Sequence, residues 1–449
     1  MTEEEKQQKH FDRMTKEPVS KLLVQLSIPT IISMMITNLY NIADTAFVGT
    51  LGTSESGATG VVFGYMSILQ ALAFMCGQGA GSIMARKLGE KNTEEATMYT
   101  STGFYLSFSL GLVAALLSLV ILTPLVTLLG STETIAPYSR IYILCIMIAA
   151  PFFTSSYTMN NLLRYESKAS LGTIGMMTGA VLNLFMDALF MFVFKCGIAG
   201  AGLATAISQI VSFFILLYML SSGKTQTTIS IKKVARRGRV YWDIISTGFP
   251  SLLRQGLNSM ATMFLNSSAK VYGDAAVAAM SIVSRISFFP TALAIGIGQG
   301  FQPISSFNFG AGYKDRVRKA FIYALTGSAV ILAVIAVPMF IFAGPLVKIL
   351  RNDPQVIEIG IRALRLMCFA QILVSLSMMV EMGFQSTGAR LLASISSCLR
   401  SGLVFIPVLF ILRSVRGLEG IEEAQPLSFV ISFIVAIWLC RKYLQRLKN

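Results

Sequence analysis

The sequence predicts an all-α integral membrane protein, with twelve transmembrane helices in two six-helix lobes related by a pseudo-two-fold axis along the membrane normal. Three observations predict it. Of 449 residues, 54% are hydrophobic and only 13% charged, with a mean hydropathy of +0.66. That composition belongs to a membrane protein and not to a large soluble one. Small breaks divide the apolar sequence into twelve segments, each near the roughly 20 residues a bilayer span requires. Finally, the chain repeats itself at an offset of 221 residues. SIPTII around Pro29 returns as GFPSLL around Pro250, and LGT at Gly52 returns as YGD at Gly273. CGQGAGSIMARKLGEKN returns as IGQGFQPISSFNFGAGY, matching Gly77, Gln78, Gly79 and Gly89 to Gly298, Gln299, Gly300 and Gly310. An even number of spans per copy gives both copies the same orientation, as in transporters built from parallel repeats.

The expected spans are 22–47, 57–84, 98–122, 136–161, 169–194, 197–221, 241–270, 275–307, 317–343, 355–384, 389–412 and 418–440. In the first, Leu22 to Val48, Asp44 is the only charge. A carboxylate in such a run costs a few kcal/mol and usually marks an ion or proton pathway. Thr37, Asn41 and Asp44 share one helix face, and Pro29 removes a backbone hydrogen bond and invites a kink. The second and eighth spans carry the GQG pairs. These read first as close helix packing, since neither copy has the GxxxxGK[ST] of a nucleotide loop.

The fifth span, GAVLNLFMDALFMF, places Asn183 and Asp187 on one face, four residues apart. Asp44 lies about four residues, roughly 6 Å, below the outer end of its span, and Asp187 about eight residues, roughly 12 Å, below the end of its own. Thr205 descends to a similar depth in the sixth. All four groups fall in the outer half of the first lobe. They are what a sodium ion would coordinate or a proton relay would use, the alternative being a polar clip between helices. In the second copy the offset replaces Asp44 by Leu265, Asn183 by Val404, Asp187 by Val408 and Thr205 by Pro426. The cluster belongs to one lobe.

Residues 1–222 are therefore expected to form an N-terminal lobe with a cation site, 223–240 a basic cytoplasmic linker, and 241–449 the C-terminal lobe. The net charge of +15 is a matter of topology and not of nucleic acid binding. With the N-terminus inside, 25 of the 37 Lys and Arg fall in inner segments and 7 in outer ones. This bias predicts a multi-pass protein of the plasma (inner) membrane with both termini cytoplasmic. The polar start, MTEEEKQQKHFDR, is not expected to act as a cleavable signal peptide. The six cysteines are scattered without a CxxC and are expected as buried free thiols, and the sole histidine, His10, as solvated.

At this point the residues show a resemblance. NLYNIADTAFVG (38–49), GQGAGSIMARKLGEKN (77–92), LNLFMDALFMF (182–192), GIAGAGLATAIS (197–208), SIVSRISFFPTALAIGIGQGFQPISSFNFGAGYKDRVRKA (281–320) and GFQSTGAR (383–390) resemble the bacterial branch of the multidrug and toxic compound extrusion (MATE) family. The resemblance covers essentially the whole chain. It implies two six-helix lobes and efflux of organic cations against inward Na+ or H+. It also implies a cation site on Asp44, Asn183, Asp187 and Thr205. Two positions depart from the family pattern. Asn258 stands where another branch carries a carboxylate in the seventh helix, and Phe429 where relatives often carry an acidic residue.

The expected function is a cation-coupled (sodium or proton) multidrug efflux antiporter that exports lipophilic organic cations by alternating access. No cofactor is expected beyond the coupling ion, Na+ or H+, and the protein is expected as a monomer in the lipid bilayer. Its substrate cavity would draw on Met34, Met35, Tyr40, Asn41, Phe63, Met66, Met260 and Phe288, since thioethers and aromatic faces suit lipophilic cations. Glu381 would either attract cationic drugs or pair with Arg254, Arg285 or Arg365. A flippase for lipid-linked precursors is the alternative, kept open by Arg254, Arg285 and Arg400. A membrane-embedded enzyme lacks its residues: there is one histidine, and no HExxH or GxSxG.

Overall fold

Twelve long helical stretches carry the chain in this computed structural model, which describes residues 3–448 and every side chain within them except those at 3, 38–42, 46, 53 and 401. Tyr40 and Asn41 lie outside the described side chains. A leading helix α1 (Glu3–Lys16) precedes α2 (Val19–Gly49), α3 (Thr53–Gly89), α4 (Thr93–Val120), the short α5 (Leu122–Leu128), α6 (Ala136–Tyr165), α7 (Ala169–Ala188) and α8 (Gly197–Ser221). The second copy runs α9 (Gly238–Lys270), α10 (Asp274–Gly310), α11 (Lys314–Ile341), the short α12 (Ala343–Leu350), α13 (Pro354–Ser386), α14 (Arg390–Cys398), α15 (Phe405–Arg416) and α16 (Leu418–Arg446). The 221-residue offset carries both ends of α3 onto those of α10, and both ends of α4 onto those of α11. Two π-helical turns interrupt the pattern, Leu189–Val193 after α7 and Leu399–Leu403 between α14 and α15.

Among the described residues ten helices are long and apolar enough to cross a membrane. The seventh and eleventh stretches complete the twelve. The former is rich in polar groups such as Arg254, Gln255 and Asn258, and the latter is broken by its π turn. Several helices run about a turn past their apolar runs because polar residues cap them outside. Asn92 accepts the Glu95 N–H at 3.0 Å at the start of α4, and Asp353 accepts those of Gln355 and Val356 at 3.0 and 3.2 Å at the start of α13.

Two compact units emerge, residues 1–12 with 32–252 and residues 13–31 with 253–449. They are interleaved with the sequence halves. One crossing falls inside α1, between Asp12 and Arg13; the other two fall inside α2, between Ile31 and Ile32, and inside α9, between Leu252 and Leu253, each two residues beyond Pro29 or Pro250. A proline inside a helix frees a carbonyl and bends the rod there. The first unit thus holds the start of α9, and the second holds the start of α2.

The GQG pairs explain how those starts are seated. In the first unit a Cβ at Gly79 would strike the Ile244 carbonyl, and one at Gly248 the Met75 carbonyl. Beside them the Ser251 hydroxyl donates to Gln78 Oε1 at 2.6 Å in a buried contact. In the second unit a Cβ at Gly300 would lie 2.8 Å from the backbone nitrogen of Ser27. The glycines are there for backbone approach.

The stretch 222–240 is not loose. Glu166 Oε1 accepts the backbone N–H groups of Gln226 and of Thr227, the latter at 2.8 Å. Ser101 and Thr102 accept those of Ser230 and Ala235 at 3.1 and 3.0 Å. In the second unit Arg316 donates to the carbonyls of Met14 and Glu17 at 3.1 and 2.6 Å, which fixes the junction of α1 and α2.

Two expectations are corrected. His10 is buried, 8% exposed, because α1 is a packed helix and not a solvated tail. All six cysteines are free, yet Cys196 is exposed because it lies in the turn that opens α8, and Cys145, Cys398 and Cys440 are only half-buried.

Candidate functional site

Four helices of the first unit, α2, α6, α7 and α8, bring together one polar cluster. Asp44 comes from α2, five residues before its end, and Tyr142 from the second turn of α6. Asn183 and Asp187 come from α7, and Thr205 from α8. The Tyr142 hydroxyl lies 3.3 Å from each Asp44 carboxylate oxygen and 3.3 Å from Thr205 Oγ1. The Asn183 amide is satisfied with its nitrogen turned to Asp187. It then donates to Asp187 Oδ2 at 3.2 Å and accepts from the hydroxyl and backbone N–H of Thr205, both at 3.3 Å. Asp187 is wholly buried, and its Oδ1 has no hydrogen-bond partner. Buried carboxylate oxygens are rarely left so. Immediately beyond Asp187 the helix opens into its π turn, a feature that recurs at functional sites.

The structure thus brings together the four residues that depth arguments grouped, and adds Tyr142 as the bridge between Asp44 and Thr205. Sequence reasoning missed it because a tyrosine in an apolar span reads as packing. Its only signal is depth, six residues inside α6 and level with Asp44. The donor set is all oxygen: two carboxylates, an amide, a hydroxyl and a phenol. That suits a hard cation such as Na+, or a proton, and no softer metal. Among the described residues no group of three His, Cys, Asp or Glu is placed to hold a metal ion.

The remaining candidates fall in both units. Met34, Met35 and Met66 are half-buried and Phe63 exposed in the first unit, while Met260 and Phe288 are exposed in the second. Glu381 is buried and paired with Arg254, Oε1 to Nη1 at 2.6 Å. Arg365 instead lies over the Phe340 ring at 5.2 Å.

A match to the MatE family covers residues 29–189 and again 250–411, so the two copies of the repeat are two copies of one family unit. The chain belongs to the MatE family. It is a membrane transporter of the twelve-helix, two-lobe kind. Its curated relatives include the multidrug export protein MepA of Staphylococcus saprophyticus, 27% identical over 427 residues that cover 95% of this chain and 92% of that protein. MepA of Staphylococcus aureus is similar at 27% over 429 residues, with the same coverage. Among solved structures, an outward-facing multidrug resistance MATE transporter of the MOP superfamily superposes with a TM-score of 0.91 at 25% identity. It covers 97% of this chain and 98% of that one.

Proposed function

We propose that this MatE chain is a cation-coupled multidrug efflux antiporter, and that Asp44, Asn183, Asp187 and Thr205, with Tyr142, form its coupling site. The observation that carries the reading is the orphaned Oδ1 of a fully buried Asp187, in electrostatic reach of Asp44. Two carboxylates so close in a low dielectric are costly to ionise together, so a cation is what completes them. Na+ would be held by the Asp187 and Asp44 oxygens, the Asn183 carbonyl and the Thr205 hydroxyl. A proton would reside on Asp187 or Asp44. Either one neutralises the pair and changes what α2 and α7 prefer as neighbours. Drug and cation then favour different states of the same helices, and that differential affinity is the coupling. Lipophilic organic cations are the substrate class the family relationship supports, and the charge bias supports cytoplasmic termini.

Efflux of a fluorescent cation from vesicles, with sodium and proton gradients imposed separately, tests this reading. One gradient should drive export and the other should not. Export indifferent to both would refute coupling. The second reading, a lipid-linked precursor flippase, is favoured by the excess of guanidinium groups in the second unit and would show as lipid translocation without cation efflux.

A further inference from the structure

The second unit has its own cluster of charges, on α9, α13 and the second π turn, and within that cluster they do not balance. Glu381 on α13 is 2% exposed and bound to Arg254 on α9 at 2.6 Å. Arg400, in the π turn between α14 and α15, is half-buried and feels the charges of both Glu381 and Arg254. The turn that carries it packs against the Leu257 side chain. A Cβ at Gly402 would lie 2.9 Å from Leu257 Cδ1, so the π turn rests directly on α9, one turn beyond Arg254. One carboxylate, already paired with Arg254, is thus the acid within electrostatic reach of Arg400.

A structural ion pair accounts for Arg254 and Glu381 but not for Arg400. Among the described residues the Arg400 guanidinium makes no hydrogen bond, although it has five donors in a planar fork and sits well inside a span. An unbonded cation at that depth is a cost that a packing role does not repay. The same side of α9 exposes Asn258, four residues beyond Arg254, a polar group that lipid chains would not solvate, so we take the cluster to border water.

We propose that the second unit carries an anion subsite on Arg400, which receives an oxyanion, carboxylate or phosphate, with the Arg254–Glu381 pair holding the wall beside it. For the exporter proposed above, on which the choice of ligand rests, the subsite would hold the carboxylate of a zwitterionic substrate. A molecule with both a lipophilic cation and a carboxylate would present the latter to the Arg400 fork, a bidentate match that a plain cation lacks.

Two fluorescent dyes isolate that difference. Rhodamine 123 is the methyl ester, and therefore the cation, of the carboxylate-bearing rhodamine 110. Their affinities are measured by fluorescence polarisation on the purified full chain, with no gradient. Arg400→Gln should weaken rhodamine 110 about tenfold or more while rhodamine 123 holds or tightens. Arg400→Lys, which keeps the charge but loses the fork, should fall between, and serves if the Gln variant does not fold. A lipid phosphate as the natural occupant is read separately: native mass spectrometry would show one phosphatidylglycerol fewer retained by Arg400→Gln, with both dyes unchanged. The proposal is overturned if neither dye selectivity nor lipid retention responds to Arg400. It is equally overturned if Glu381→Gln alone weakens rhodamine 123, since the cluster is then a cation site. Asp187→Asn should leave dye selectivity untouched, so failure of the coupling site and failure of this subsite remain distinguishable.

Discussion

The two lobes have the same helices, often to the residue, and opposite interiors at the same place. In the first, Asp44, Tyr142, Asp187 and Thr205 meet around an unsatisfied carboxylate oxygen. The offset turns Asp44 into Leu265, Tyr142 into Ala363 and Asp187 into Val408. Leu265 and Ala363 are core members of a hydrophobic cluster, against which Val408 packs. The second lobe instead has charge elsewhere, in Arg254, Glu381 and Arg400. A scaffold that tolerates apolar packing at those positions does not need the acids for its own stability. Their presence in one copy alone supports the coupling role proposed for them, and their absence from the other is a built-in control.

The largest effect should come from removing the acid itself. Asp187→Asn is expected to abolish gradient-driven efflux while leaving a folded, membrane-inserted protein, since the amide fits the same space. Near-wild-type transport would collapse the comparison. The reverse experiment asks whether the second lobe accepts an acid. Leu265→Asp places a carboxylate where Leu265 is 3% exposed among Ala276, Ala279 and Leu409. The buried charge has no Tyr142 equivalent, so the variant should lose about 3–5 kcal/mol of stability and fall sharply in the folded fraction recovered after extraction. A well-folded Leu265→Asp would mean that the lobes differ less than their packing says.

Smaller changes sharpen the assignment. Asn183→Ala and Thr205→Ala each remove one oxygen, at a cost of about 1–3 kcal/mol where a partner is left unsatisfied. The cation concentration for half-maximal efflux should rise about tenfold or more, since 1.4 kcal/mol is a decade. Drug affinity without a gradient should barely change. Val404→Ala, at the position matching Asn183, should leave the cation dependence alone, and an equal shift there would spread the site over both lobes.

Much of this was legible in the residues. Twelve spans and their duplication follow from hydropathy and from the recurrence of Pro29 in Pro250. The acids were legible because a charge in an apolar run has few explanations. Tyr142 was not, since its hydroxyl is one atom on a side chain that packs like its neighbours. Neither was the exchange of helix starts between units. Continuity of α2 and α9 hides which neighbours each half keeps, and only the collision of Gly79 and Gly248 with facing carbonyls reveals it. The basic stretch after α8 reads as a free joint by composition, yet Glu166, Ser101 and Thr102 hold its backbone, contacts made across more than 50 residues of sequence.

Glu166 gives the smallest and most local comparison. It follows α6, and the offset matches it to Thr387 after α13. There the backbone carbonyl, not a carboxylate, receives Arg446, the last residue of α16, at 3.3 Å. Glu166 anchors the segment that leaves the last helix of its lobe and Thr387 the end of that helix in the other, but only the first is titratable. Burial pushes the Glu166 carboxyl up to about 7, against the Thr227 and Gln226 N–H groups and Lys168, which pull it down, and its second oxygen has no partner. An acid raised on folding stabilises the fold below its unfolded pKa, and that contribution is lost as pH rises through the folded value. Between pH 5 and pH 8 the wild type should therefore lose on the order of 1–3 kcal/mol that Glu166→Gln does not lose, because the neutral amide keeps an acceptor for the same N–H groups. Melting of the two purified proteins across that range checks it. The gap between their melting temperatures should move in favour of Gln as pH rises, while Thr387→Ser in the other lobe shows no pH-dependent gap. If the gap instead moves in favour of the wild type, the two backbone donors outweigh burial, and Glu166 anchors the stretch as an ordinary ionised carboxylate.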